Sequence, residues 1–170
     1  MAQTADLCDK HIGDIASCLL GDKSVAVLPS VFKCYGGNKT FSGPAFTVKC
    51  HECNTLVRKA LEGPGEGRVL VVAGGGVLRC ALVGDALGEL GMKNGWAGIV
   101  VDGPIRDSQA MASMALGVKA LGTCPLKSDK AAADQGQQQV PVTVQGVAVR
   151  PGDWVYADWD GILISRKQLD

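Results

Sequence analysis

The stretch G-D-A-L-G-E-L-G-M-K-N-G-W-A-G-I-V-V-D-G-P-I-R-D, residues 84–107, reads as one helix followed by one strand. Leu82, Leu87, Leu90 and Met92 are spaced to pack one apolar side, and Asn94-Gly95 is a stop signal. Ala97 to Val101 is a short apolar run, β-branched at Ile99, Val100 and Val101, as expected of a buried strand. Asp102-Gly103-Pro104 is expected to end it. A helix from Asp85 to Asn94 travels roughly 15 Å. A strand from Ala97 to Asp102 travels back roughly 20 Å. The chain therefore returns to its starting edge, and Asp85 at the helix N-terminus is expected near Arg106 and Asp107.

In open α/β sheets, the carboxyl edge of the strands is where ligands bind. The free N–H groups of Gly84, Asp85, Ala86 and Leu87 would face the same spot, with the positive end of the helix dipole. An anion cradle, an arginine and two carboxylates suit a metal-assisted site acting on a small carboxylate. On spacing alone a plainer reading stands beside this one. Asp85 is then a first-turn acid, favourable on any helix, and Arg106-Asp107 is a solvated loop pair.

Outward from this unit, the same α/β alternation continues. Val69 to Val72 form the strongest apolar run, within an Arg68–Ala73 strand that leads into Gly74-Gly75-Gly76. A dinucleotide fingerprint would need glycine where Arg79 stands, and no Gly-Lys-Ser/Thr follows, so a nucleotide loop is excluded. The glycines are expected to let the backbone pass beneath Gly84. Asn54 is read as the cap of a helix running to Glu62 with Leu56, Val57, Ala60 and Leu61 inward; a place in the cleft is its alternative. Ala45–Cys50 reads as a strand. Asp107–Leu116 reads as a helix with Ala110, Met111 and Met114 inward, followed by a strand at Val118–Leu121. Residues 3–20 read as one helix with Leu7, Ile12, Ile15 and Leu19 near one face. Val25–Val31 is β-rich, Phe32–Ser42 is a turn-rich connection, and Lys127–Gln139 reads as a flexible polar stretch. Val140–Val149, Trp154–Tyr156 and Ile162–Ile164 read as closing strands.

The 170 residues are expected to form one α/β domain, a central sheet flanked by helices. Formal charge is zero with no basic stripe, which argues against nucleic acid or an anionic membrane as partner. No apolar run approaches the roughly 20 residues that span a bilayer. The N-terminus lacks the features of a signal peptide, and seven scattered cysteines suit reduced thiols in a cytoplasmic compartment. Cys50-His51-Glu52-Cys53 has no second ligand pair, so neither a structural zinc nor a redox motif is read there.

An acid, twenty residues, then Arg-Asp resembles the signature of class II aldolases that cleave 4-hydroxy-4-methyl-2-oxoglutarate, members of one superfamily with the RraA-like regulators of ribonuclease activity. F-S-G-P-A-F-T-V-K-C (41–50), G-R-V-L-V-V-A-G-G-G (67–76) and P-G-D-W-V-Y-A-D-W-D-G (151–161) resemble that superfamily too, in its order and over most of the chain. The resemblance implies a single-domain layered α/β sandwich over residues 1–170, of the swivelling, phosphohistidine-domain-like type, assembled as a homotrimer or hexamer. It implies a lyase that forms pyruvate by aldol cleavage or decarboxylates oxaloacetate. Asp107 would hold Mg²⁺ or Mn²⁺, and Arg106 would grip the carboxylate of a 2-oxo acid. Gly84, Asp85, Ala86 and Leu87 would bind its same end, and Asp85 would orient the water that moves the proton. Ala73 stands where the family often has an acid, and this chain ends at Asp170, short of the extension that supplies an acid in longer aldolases. The alternative is a non-catalytic regulator that contacts a ribonuclease; such regulators commonly lack the aspartate of the Arg-Asp pair.

Overall fold

The computed structural model describes residues 3–20, 24–130 and 136–170. In chain order the elements are α1 (Thr4–His11), α2 (Ile15–Leu20), β1 (Val25–Val27), β2 (Lys33–Cys34), β3 (Phe41–Lys49) and α3 (Thr55–Glu62). Then come β4 (Val69–Ala73), α4 (Asp85–Lys93), β5 (Gly98–Ile105), α5 (Ser108–Ala112) and β6 (Gly117–Thr123). The chain closes with β7 (Gln137–Gln138), β8 (Val142–Val144), β9 (Val147–Val149), β10 (Trp154–Ala157) and β11 (Ile162–Ser165).

β3, β4, β5 and β6 run parallel, and α3, α4 and α5 are the crossovers between them. β3 belongs to two layers. Its first residues, Phe41 to Pro44, pair antiparallel with β10, and Ala45 to Lys49 pair parallel with β4. β10 carries the antiparallel set onward to β11 and β1, and β2 closes the far edge against β6. Period-two alternation then sorts the core. Leu70, Val72, Ile99, Val101 and Val118 pack against Val57, Leu61, Leu87 and Met111 of the helices. Val69, Val71 and Val100 face the other way, against Val144, Val149, Val155 and Ile164. Among the described residues no helix is long and apolar enough to cross a membrane.

Several expectations change in detail. β5 does not stop at Asp102-Gly103-Pro104 but runs to Ile105 across a register shift between Val101 and Pro104. Proline lacks the N–H that a regular ladder needs, so a bulge accommodates it. In α4 the inward side is Leu87, Gly88 and Gly91, while Met92 is exposed. A Cβ on Gly88 would lie 2.7 Å from the sulfurs of Met111 and Met114, so the missing side chain lets α4 approach α5. α5 is shorter than expected, and Ala110 faces solvent.

The first helix is two. Gly13 at φ +84 ends α1, with the N–H groups of Ile12 and Gly13 both given to the Cys8 carbonyl. Ile15 is consequently exposed, and the side chain of Leu19 lies outside the described residues. The apolar run from Val140 to Val149 is a hairpin, β8 and β9, because Gln145 and Gly146 both take positive φ in its turn. The connection 32–42 contains β2 and the start of β3, and β7 lies within the polar stretch 127–139, of which 131–135 lie outside the described residues.

Candidate functional site

The site is built where β5 leaves the sheet. Leu82 N–H donates to the Pro104 carbonyl at 2.9 Å, and Arg106 N–H donates to the Val83 carbonyl at 2.9 Å. Val83 and Ile105 thereby form a parallel bridge. The segment entering α4 is laid alongside the segment leaving β5, so residues on either side of the helix-strand unit become neighbours. The Asp85 N–H lies 3.4 Å from Asp107 Oδ2, and Arg106 Nε lies 3.3 Å from the same oxygen. Asp85, Arg106 and Asp107 therefore do converge, as the rises of helix and strand predict.

Two local conformations hold this arrangement. Asp107 sits in the left-handed region, φ 55 and ψ 37, at the position before α5. A short polar side chain tolerates that conformation better than most, though it remains strained. Gly84 is extended, at φ −125 and ψ −177, which any residue can adopt. Its need for glycine is spatial: a Cβ there would lie 2.9 Å from Asp107 Oδ2 and 3.1 Å from Arg106 Nε.

The expected amide cradle is present but engaged by the chain itself. Asp85 N–H faces Asp107, Ala86 N–H donates to Asp85 Oδ1 at 2.7 Å, and Leu87 N–H donates to the Gly84 carbonyl at 3.1 Å. Two of those acceptors are carboxylates, at the positive end of a helix dipole. A ligand carboxylate would take their place as acceptor.

Beside these groups is a cavity of about 250 Å³. Arg106, Arg58, Lys127 and Lys130 line it, with Asn54, Ser128, Asp85 and the Gly84–Leu87 backbone. Sequence reasoning missed Arg58, Lys127 and Lys130. The signal was available in the topology: α3 and α4 both start from the carboxyl edge of parallel strands, and Lys127 follows the carboxyl end of β6. Asn54 occupies the N-cap position of α3, and its carbonyl accepts the Arg58 N–H at 2.9 Å, but its side chain makes no capping bond. It faces the cavity, so the capping expectation is corrected in favour of its alternative. Capping fails because Asn54 has φ −109 and ψ 15, rather than the extended backbone of a capping residue. Asp107 lines two more open hollows that adjoin this cavity, one sharing Asp85 with it and reaching Ser108 and Gln109, the other sharing Arg106 and reaching Thr123 and Cys124.

The wall of the cavity is tied together by short contacts. Arg79 binds Glu52 in a bidentate pair at 2.7 and 2.6 Å, and hydrogen bonds from that guanidinium hold the Glu52 carboxyl below its usual range. Ala81 N–H donates to the Leu126 carbonyl, and Asp129 N–H to the Glu52 carbonyl. Gly74-Gly75-Gly76 packs on the segment that enters α4, two residues before Gly84. Gly74 lies against Leu82 and the Asp102 carbonyl, and Gly76 N–H is given to that carbonyl at 3.1 Å.

Among the described residues no group of three or more His, Cys, Asp or Glu side chains is arranged to hold a metal ion. Asp107 and Asp85 could offer one or two carboxylate oxygens. That donor set fits Mg²⁺, which is commonly held by one or two carboxylates with water and ligand oxygens completing its octahedron. It does not fit a thiolate or imidazole cage.

Residues 4–164 match the model of the RraA-like family, described as Aldolase/RraA. A Burkholderia mallei (strain SAVP1) protein named "Putative 4-hydroxy-4-methyl-2-oxoglutarate aldolase" is 54% identical over 99% of this chain and 98% of its own length. The solved structure of the RNA-processing inhibitor RraA from Thermus thermophilis superposes with a TM-score of 0.88 at 39% identity, covering 100% of this chain and 96% of that one. A Geobacillus kaustophilus HTA426 structure, described as S-adenosylmethionine: 2-dimethylmenaquinone methyltransferase, matches with a TM-score of 0.87 at 42% identity, covering 99% and 97%.

Proposed function

The chain belongs to the RraA-like family, and from that premise we propose that it is a divalent-metal-dependent lyase that releases pyruvate from a 2-oxo dicarboxylate. The substrates in view are 4-hydroxy-4-methyl-2-oxoglutarate, by aldol cleavage, and oxaloacetate, by decarboxylation. The observation that carries the reading is the meeting of Asp85, Arg106 and Asp107 at the N-terminus of α4. The name carried by the Burkholderia relative supports the same chemistry.

Both reactions leave the electrons of a broken carbon–carbon bond on a pyruvate enolate. A divalent cation held at Asp107 would supply Lewis-acid stabilisation of that charge. Arg106 takes the pyruvyl carboxylate with its planar fork, and the amides of residues 84–87 complete the grip. This fixes the 2-oxo group against Asp107. Asp85 Oδ1 accepts the Ala86 N–H in the free protein; once a ligand carboxylate takes that N–H, the Asp85 carboxylate turns to orient a water that passes the proton. Arg58, Lys127 and Lys130 give the cavity more positive charge than one carboxylate neutralises, which favours a substrate with a second, distal carboxylate.

The test is direct. Purified protein incubated with oxaloacetate and Mg²⁺ or Mn²⁺ should release pyruvate in a metal-dependent way, measured by a coupled dehydrogenase. No release from oxaloacetate or from the hydroxy-oxoglutarate, with either metal, would remove the reading. The likeness to the Thermus RNA-processing inhibitor favours one second reading, a regulator that binds a ribonuclease. Under that reading, the Asp107→Asn variant would still bind its partner. We further propose a homotrimer or hexamer in the cytoplasm, which a monomeric mass at micromolar concentration would contradict.

A further inference from the structure

Four of the seven cysteines lie near one another on three loops: Cys50 and Cys53 after β3, Cys80 before α4, and Cys124 after β6. None of them has a part in the proposed lyase chemistry. Two weak hydrogen bonds join the loops. The Cys124 thiol donates to the Arg79 carbonyl at 3.3 Å, and the Cys80 thiol donates to the Glu52 carbonyl at 3.8 Å. A carbonyl oxygen lies roughly 3 Å from the Cα of the next residue across a trans peptide. Cys124 Sγ is therefore within about 6 Å of the Cys80 Cα. A parallel bridge between Ala81 and Lys127 keeps the two loops side by side. Bridged cysteines have Cα atoms about 4.4–6.8 Å apart, so closing the bond requires the loops to turn the two sulfurs from these carbonyls onto each other.

We propose that Cys80 and Cys124 form an oxidisable pair, a modification site that peroxide converts to a disulfide beside the substrate cavity. The two thiols have different environments. Cys80 is buried, and burial first, then the nearby Glu52 carboxylate and Cys124, pushes its thiol up. Cys124 is half-exposed and opens onto the hollow that also holds Arg106 and Asp107. Of the two, Cys124 is the one that small polar oxidants reach first. Its thiolate attacks one peroxide oxygen, breaking the O–O bond; the departing hydroxide takes up the thiol's proton and leaves as water. The Cys80 sulfur then attacks the sulfenic sulfur of Cys124, and the hydroxyl leaves with the Cys80 proton as a second water. Two thiols are oxidised and one peroxide is reduced. The bond ties the turn that carries Lys127 to the strand entry that carries Ala81, and both residues line the cavity beside Arg106.

The experiment treats the reduced protein with hydrogen peroxide and then counts thiols in denaturant. The protein should lose two thiols, and peptide mapping should find the Cys80 peptide joined to the Cys124 peptide. Dithiothreitol should reverse both changes. Cys124→Ser should lose no thiol on the same timescale. Cys80→Ser should stop at a sulfenic acid on Cys124, trapped by dimedone. Both substitutions are near-isosteric, and Cys124→Ala serves as a second variant should the serine perturb the loop. A Cys53–Cys80 or Cys50–Cys53 bridge, unchanged thiol loss in Cys124→Ser, or no bridge at all would overturn the assignment. The readout is chemical, so it stands or falls independently of the lyase reading.

Discussion

The backbone N–H of Asp85 points at the Oδ2 of Asp107 across 3.4 Å, although 22 positions separate them in the chain. Their meeting is made by backbone, through the bridge of Val83 with Ile105, rather than by the two side chains themselves. The side chains can therefore be changed one at a time without dismantling the edge that carries them.

Asp107 is left-handed, so its substitutions should split stability from activity. Asparagine tolerates that conformation and is isosteric, but removes the charge. Alanine also loses the side chain and faces a backbone penalty of about 1–2 kcal/mol. Both variants should lose metal-dependent pyruvate release. Only Asp107→Ala should unfold earlier, by about 1 kcal/mol in urea. Equal stability of the two, or full activity in either, would count against this role for the residue.

Arg106→Lys keeps the charge and loses the fork. Oxalate, a planar dianion resembling the enolate, should inhibit the parent protein competitively. In the variant its affinity should fall by roughly 1.5–3 kcal/mol, the range for a charge-assisted hydrogen bond. Inhibition constants measured at one metal concentration decide the matter. The same constant in both proteins would place the anion elsewhere.

Gly84→Ala is allowed by the backbone but crowds two functional groups at 2.9 and 3.1 Å. The melting temperature should change little, since Arg106 and Asp107 are partly exposed and can move away. Oxalate binding and turnover should drop at least tenfold, equivalent to about 1.4 kcal/mol. A variant with normal kinetics would show that the close approach of Gly84 to these side chains is incidental.

Asp158 offers a test of stability rather than activity. Its carboxylate accepts the Thr4 N–H and hydroxyl at 2.7 Å each, and the N–H groups of Asp160 and Gly161 at 3.0 and 3.2 Å. Burial raises its pKa, but these hydrogen bonds lower it further, and the net shift is downward. A folded-state pKa below the unfolded value means stability that is present above pH ~4 and lost as pH falls through the folded value. Asp158→Asn should cost about 2 kcal/mol at pH 7, since its amide turns a donor toward other donors. The variant should also show a shallower loss of stability in acid, read by thermal unfolding between pH 7 and 3. An unchanged acid limb would remove Asp158 as its source.

Periodicity and punctuation alone determined the helix over residues 85–93, the strands around Val69 and Ile99, and the return of Arg106 and Asp107 to the start of that helix. These are local matters: a run of β-branched residues, a stop at Asn94-Gly95, and two fixed rises per residue. Tertiary structure decided the rest. The bulge that carries β5 to Ile105 depends on pairing with β6, and the hairpin at Gln145-Gly146 on a sheet face that needs covering. Asn54, Arg58, Lys127 and Lys130 share a cavity only because separate parallel strands end at one edge. The identity of a residue states what it can bind. Which residues distant in the chain face each other is set by strand order, and strand order is a property of the packed sheet that no local pattern contains.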